Sequence, residues 1–148
     1  MFDTIDRYEA FIDDFEACKL PRARWTHLAH LAVGFWYLSH HAPAQALRIT
    51  RERIWLHNEG VGTANTDSGG YHETITRGYL HGIADHLARH AGTPLLDSFV
   101  LLQTTPLAHS DWLLKFYSRD RLFSVPARRG WIEPDLQPLP GNVRFETT

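Results

Sequence analysis

The stretch RWTHLAHLAVGFWYLSHH, residues 24–41, decides the fold of this chain. Apolar side chains point in almost every direction around the helix that it predicts, which is typical of a helix buried on most sides. A single glycine, Gly34, interrupts the run of larger side chains. We therefore expect this segment to be the central helix of an all-α domain.

Periodic patterns on both sides of this segment predict three further main helices. In the first, Tyr8, Phe11, Ile12 and Phe15 recur at the spacing of one helix face. Pro43 suits the first turn of the helix that follows the central one. The four predicted main helices span, in chain order, about residues 4–19, 24–41, 43–58 and 71–92.

The rest of the chain predicts two shorter helices and a tail. A fifth helix is expected from Leu95 to about Thr104, and a sixth from Ser110 through Phe116. Residues 125–148 are rich in proline and are expected to form an extended tail held by its apolar side chains. The chain, residues 1–148, is thus predicted to be one all-α domain, an up-down bundle of four main helices with these additions.

Composition limits the kinds of partner. The chain of 148 residues has 15 basic and 17 acidic side chains and a formal charge of −2, so we expect no nucleic-acid partner. The apolar centre of the second helix is far shorter than the ~20 residues that a membrane helix needs, so we expect no membrane partner. The start of the sequence lacks a secretory pattern, and Cys18 is the only cysteine of the chain. These two observations predict a cytoplasmic protein.

Histidine is unusually frequent, with ten residues in the chain. On the central helix His27, His30 and Gly34 share an arc of about 60°. Two imidazoles one turn apart can bind one metal ion, and the glycine leaves space for a ligand. On the fourth helix His72 lies within the apolar stripe, with Thr76 beside it. Such polar side chains need partners when they are buried.

In an up-down bundle the second and fourth helices run parallel, so their N-termini meet at one end together with the glycine-rich segment 60–70. The sequence therefore predicts a pocket there, in which His27, His30 and His72 bind a divalent transition metal such as Zn, Fe, Mn or Ni. Glu73 and Glu16 are the candidates for a general base or an additional ligand. The candidate substrate-binding residues are Asn65, Thr66, Asp67, Tyr71, Thr76 and Arg77.

Two functions are compatible with these residues, and the expected partner is a small-molecule ligand. One is a metal-dependent hydrolase or transferase, in which the metal activates water or polarises a substrate oxygen. The other is a non-catalytic ligand-binding or protein-interaction module whose histidines satisfy buried hydrogen bonds. A haem pocket is a third alternative. At the opposite pole the helix dipole alone explains a second group of histidines, His40, His41, His86 and His90.

Overall fold

The computed structural model describes residues 1–146, and within that range all regular secondary structure is helical, as the sequence predicts. The four long helices are α1 (Ile5–Glu16), α2 (His27–His40), α3 (Pro43–Gly60) and α4 (Glu73–Arg89). Three shorter helices follow, α5 (Leu95–Leu102), α6 (Arg119–Leu122) and α7 (Val125–Arg129). Single 3₁₀ turns occur at Arg22–Arg24, Pro106–Ala108 and Trp112–Lys115. None of the helices in the described range has both the length and the apolar character that a membrane crossing requires.

Local signals set the starts of the long helices. The Thr4 and Thr26 hydroxyls cap α1 and α2, each accepting a hydrogen bond from the backbone N–H three residues on. Pro43 occupies the first position of α3, as its sequence context predicts. The cap of α4 is the imidazole of His72. The two hydroxyls and the imidazole each accept from a backbone N–H that has no partner within its helix. Proline has no N–H, so the first position of α3 leaves no such donor unpaired.

The central position of α2 is confirmed. It packs against both α3 and α4, and seven of its residues are buried, Ala29, Leu31, Ala32, Val33, Gly34, Phe35 and Tyr37. The predicted stripe of α1, from Tyr8 to Phe15, is also buried against the core. The longest apolar segment of the chain is therefore covered on most sides by other helices.

Gly34 allows α2 and α4 to approach closely. A Cβ atom at this position would lie 2.9 Å from Leu80 Cδ2 and 3.3 Å from Ile83 Cδ1. Helix axes come together where the side chain between them is small. The three residues of this contact also line the cavity described below.

The second half of the chain departs from its predicted boundaries. The fifth helix ends at Leu102, and the predicted sixth helix is only the 3₁₀ turn Trp112–Lys115. The predicted extended tail begins with a helix, α7, because the Ser124 hydroxyl caps it by accepting from the Ala127 N–H at 3.2 Å. Residues 130–146 have no regular secondary structure and pack on the helices through Trp131 and Phe145. The last two residues of the predicted tail, 147–148, lie outside the described range.

Candidate functional site

A cavity of about 310 Å³ opens between α2, α3 and α4. This volume is at the lower end of the range of about 300–1,000 Å³ found for small-molecule sites. We call it the histidine cavity; its lining residues are His27, His30, Leu31, Gly34, Thr50, Ile54, Ile75, Thr76, Tyr79, Leu80 and Ile83. Five of these eleven residues have aliphatic side chains and five carry a side-chain nitrogen or hydroxyl, so the polar atoms decide which ligands fit.

A second cavity of about 320 Å³ adjoins the first and shares four lining residues with it, His30, Ile54, Ile75 and Thr76. We call it the His72 chamber; its other lining residues are Trp25, Asn58, Thr63, Gly70, Tyr71, His72 and Arg128. The three predicted metal ligands therefore line two neighbouring cavities, and His30 is the member common to both. The glycine-rich segment contributes to the chamber, as its position in the sequence predicts.

His30 presents a hydrogen-bond acceptor to these cavities. Its Nδ1 lies 2.7 Å from the carbonyl oxygen of Thr26. A carbonyl can only accept, so Nδ1 carries the proton and Nε2 is the unprotonated nitrogen. The ring packs against Trp25, with 3.7 Å between the ring centroids, which fixes its orientation. Nε2 has no hydrogen-bond partner among residues 1–146.

Burial keeps His30 neutral. It lowers the pKa of the imidazole to about 4, and the neighbouring His27 and His57 lower it further, against the opposing effect of the Thr26 carbonyl. More than a third of the residue's surface is accessible, while the ring packs against Trp25 and lines two cavities. The direction of the shift therefore follows from the surrounding protein. At neutral pH the ring is a hydrogen-bond acceptor and carries no charge.

His27 is held by a different contact. Its Nε2 lies 2.9 Å from the carbonyl oxygen of Leu107, so this nitrogen carries the proton and donates. The ring meets Tyr79 edge-on, with 4.8 Å between the centroids. The Tyr79 hydroxyl in turn donates to the carbonyl of His109 at 2.8 Å. These contacts give the cavity a rigid aromatic wall.

His72 uses both ring nitrogens within the protein. Nε2 donates to the Leu122 carbonyl at 2.8 Å, and Nδ1 accepts from the Ile75 N–H at 3.1 Å. Burial lowers the pKa of this imidazole, which remains neutral as the cap of α4. A metal bound by His72 would have to replace one of these hydrogen bonds. Among residues 1–146 no three His, Cys, Asp or Glu side chains are grouped closely enough to hold a metal ion, and the metal site stays a prediction from sequence.

The two predicted carboxylates lie outside both cavities. Glu73 accepts from Arg51 Nε and Nη2 at 2.8 and 2.6 Å and from the Tyr71 hydroxyl at 2.6 Å. Burial alone would raise the pKa of this carboxyl, but these hydrogen bonds outweigh it and the pKa is lowered. Glu16 accepts from the Tyr37 hydroxyl at 2.6 Å. Both carboxylates are therefore engaged by neighbouring side chains.

The predicted substrate-binding residues separate into three places. Asn65, Thr66, Asp67 and Tyr71 gather at a third cavity, of about 440 Å³, and Tyr71 also reaches the His72 chamber. We call the third cavity the arginine cleft; its lining residues are Arg51, Trp55, Asn65, Thr66, Asp67, Tyr71, Glu73, Arg128, Arg129 and Gly130. Thr76 alone of the predicted set lines the histidine cavity.

Arg77 lies apart from all three cavities. Its guanidinium carbon is 4.5 Å from the centroid of the Trp131 ring and 5.4 Å from that of Phe145. It also forms an ion pair with Glu146. Arg77 therefore anchors the C-terminal segment to α4 and does not reach a ligand in the histidine cavity.

Sequence reasoning missed two residues that shape these cavities. Thr50 lines the histidine cavity and is 2% exposed, and its hydroxyl oxygen has no partner within the described part of the chain. Its spacing of four from Ile54, a core residue of the same helix, is the signal that could have found it. Arg128 reaches the carbonyl of Tyr71, 57 residues away, and no local pattern indicates such a contact.

The three cavities and the side chains around them are the features from which a function can be inferred. His30 connects two of the cavities, and Arg128 and Tyr71 connect the chamber with the cleft. Comparisons with protein-family models, with curated proteins and with solved structures found no match for this chain.

Proposed function

We propose that the protein binds a small, mostly apolar molecule in the histidine cavity and holds it through a hydroxyl or N–H group that donates to His30 Nε2. The observation that carries this proposal is a neutral imidazole nitrogen, without a protein partner in residues 1–146, at an apolar cavity. A donor on the ligand would give this nitrogen its missing hydrogen bond. A ligand without a donor that displaces water from this nitrogen would leave it unpaired, which costs free energy.

The size and lining of the cavity support this assignment. A dry cavity of ~150 Å³ already accepts benzene in a well-studied case, and the histidine cavity is about 310 Å³. Leu31, Ile54, Ile75, Leu80 and Ile83 supply apolar walls. Binding energy would come from apolar area removed from water, and His30 would select among molecules of similar shape.

The same geometry favours binding over acid–base chemistry. A general base works best with a pKa near the working pH, whereas the pKa of His30 is about 4. Neither Glu16 nor Glu73 lines the histidine cavity. We therefore favour the non-catalytic ligand-binding module, and the metal-dependent hydrolase or transferase and the cytoplasmic location stay predictions from sequence.

We also infer the up-down order of the four long helices, which places the cavity at one pole. The aromatic pairs Tyr8 with Trp36 and Phe15 with Trp25 support an antiparallel α1 and α2. The contact of His27 with Tyr79, together with the approach of Gly34 to α4, supports a parallel α2 and α4.

The binding proposal is tested with phenol and toluene, which have similar shapes but differ in the hydroxyl donor. Binding is followed by the amide resonances of the cavity residues. We expect phenol to bind the unmodified protein more tightly than toluene, and His30→Phe to reduce that preference by about fivefold, since the ring stays and the acceptor is lost. An unchanged preference in His30→Phe would overturn the proposal.

His40→Phe is the matched control. His40 Nδ1 lies 2.7 Å from the Trp36 carbonyl and its ring packs against Trp36, so it repeats the local contacts of His30 on the same helix. It lines neither the histidine cavity nor the His72 chamber. We expect its phenol preference to equal that of the unmodified protein. Metal analysis of untagged protein tests the alternative, because one transition metal per chain that is lost in His27→Ala would favour the metal-dependent enzyme.

A further inference from the structure

The arginine cleft has the side chains of a second binding site, independent of the histidine cavity. We propose that it binds a small aromatic carboxylate, with the carboxylate on the guanidinium of Arg128 and the ring against Trp55. Both side chains line the cleft, and its volume of about 440 Å³ exceeds that of the histidine cavity.

Two of the three arginines in the cleft already hold carboxylates in the same way. Arg51 uses Nε and Nη2 on Glu73, at 2.8 and 2.6 Å. Arg129 uses Nε and Nη2 on Asp67, also at 2.8 and 2.6 Å. The edge of the guanidinium that carries Nε and Nη2 has the same spacing of donors as the two oxygens of a carboxylate have of acceptors. Such pairs are therefore specific as well as strong.

Arg128 lacks such a partner within residues 1–146. Its Nη1 donates to the carbonyls of Gly70 and Tyr71 at 3.0 and 3.2 Å, while Nε and Nη2 make no hydrogen bond in this range. None of the ion pairs of the described residues includes it. The edge that holds a carboxylate in Arg51 and Arg129 is thus unused in Arg128, and the cleft keeps one positive charge. A single charge favours a monoanion.

Trp55 supplies the apolar surface for the rest of the ligand. The residue belongs to α3 and is 44% exposed. Its backbone carbonyl accepts from Asn65 Nδ2 at 3.2 Å, which ties the helix to the loop that forms the other wall. The ring of Tyr71 lies 6.2 Å from it, tilted by 58°. An aromatic ring placed against an exposed indole buries area that a purely aliphatic anion of the same length would not.

Benzoate is the probe, with benzamide and acetate as matched comparisons. Benzamide keeps the ring without the charge, and acetate keeps the charge without the ring. Binding is followed by the backbone amide resonances of the cleft residues, which all variants retain. We expect benzoate to shift these resonances to saturation and to bind at least about tenfold more tightly than either comparison. Equal affinities for benzoate and benzamide would overturn the proposal.

Two variants separate binding from folding. Arg128→Gln removes the charge but keeps an N–H donor for the loop carbonyls, and Trp55→Leu changes a half-exposed position. We expect each to weaken benzoate binding by about tenfold and to leave phenol binding in the histidine cavity unchanged. If Arg128→Gln does not fold, Trp55→Leu alone decides, because undiminished benzoate binding in that variant contradicts the site.

The matched controls are Arg119→Gln and Phe123→Leu. In the unmodified protein Arg119 and Phe123 form an exposed cation–π pair outside the cleft, with the guanidinium carbon 5.5 Å from the ring centroid. We expect benzoate affinity to be the same in these variants as in the unmodified protein. A loss as large as that in the cleft variants would show that benzoate recognises any exposed arginine beside an aromatic ring.

Discussion

Two histidines with a lowered pKa, His30 and His81, illustrate how the surroundings decide what a histidine does. The pKa of each is lowered to about 4, with burial as the first cause, and for His81 the charge of Arg77 adds to it. The His81 ring lies between Trp131 and Phe145, with centroid distances of 5.3 and 4.8 Å. Its Nε2 is buried without a partner in the described residues. His81 thus packs as a neutral aromatic ring, whereas His30 offers its nitrogen to a cavity.

The low pKa of His81 predicts a loss of stability in acid. The unfolded chain takes up a proton near pH 6.5 and the folded protein only near pH 4, so the unfolded state binds more protons between these values. The free energy of unfolding should therefore fall as the pH is lowered from 6.5 towards 4. His81→Phe should reduce this pH dependence in urea unfolding experiments. The same slope in both proteins would contradict a neutral, buried His81.

Two carboxylates with the same partner geometry should differ in their contribution to stability. Glu73 and Asp67 are each held side-on by an arginine, but Glu73 is 7% exposed and Asp67 lies at the surface. Glu73→Gln should lower the free energy of unfolding by about 1–3 kcal/mol, because Arg51 and the Tyr71 hydroxyl lose a buried partner. Asp67→Asn should change it little, since solvent screens exposed pairs. Equal effects in urea unfolding would contradict this assignment.

At the scale of the element, α4 organises the site. Its N-terminal cap, His72, lines one cavity, and its residues Ile75, Thr76, Tyr79 and Ile83 line the other. On a different face, a Cβ at Gly82 would lie 2.7 Å from the Trp112 ring and also meet Leu107. The helix therefore joins the cavities to the turns that follow α5.

The capping role of His72 predicts a specific pattern of stability. His72→Ala should lower the free energy of unfolding by about 1–2 kcal/mol, because the Ile75 N–H loses its acceptor. His72→Asn should recover part of this loss, since asparagine also caps helices well. Chemical unfolding of the three proteins measures both effects. No loss in His72→Ala would contradict the cap.

The contact at Gly82 predicts that alanine is worse than glycine in the middle of a helix. Alanine has the higher helix propensity, but its methyl group would displace Leu107 and the Trp112 ring. Gly82→Ala should therefore lower the free energy of unfolding by about 1–3 kcal/mol. Gly130→Ala is the control, because an added Cβ there meets no atom within 4 Å in the described residues. A more stable Gly82→Ala would contradict the close packing.

At the scale of the whole molecule, the sequence predicts the long helices well. The stripe from Tyr8 to Phe15 is buried, Thr4 caps α1, and Pro43 starts α3. These signals act over one or two turns, so they can be read from one sequence. The short helices after Leu102 are less predictable, because each is only four or five residues long and depends on packing against the rest of the domain.

The site was predictable only in part, because several of its side chains bind partners that are far away in the sequence. Helical spacing indicates that His27 and His30 share a face, and both line the histidine cavity. The roles of His72 and Glu73 depend on Leu122, 50 residues away, and on Arg51, 22 residues away. One sequence gives the residue types but not the partners that use up their hydrogen-bonding capacity.

The central claim is that the neutral imidazole of His30 offers Nε2 to a ligand in an apolar cavity. The most direct test is the two-bond ¹H–¹⁵N spectrum of the histidine side chains near neutral pH, recorded with and without phenol. We predict that His30 carries its proton on Nδ1, and that its Nε2 resonance moves to saturation as phenol binds while that of His40 does not. A doubly protonated His30, or a His30 Nε2 resonance that phenol leaves unchanged, would contradict the claim.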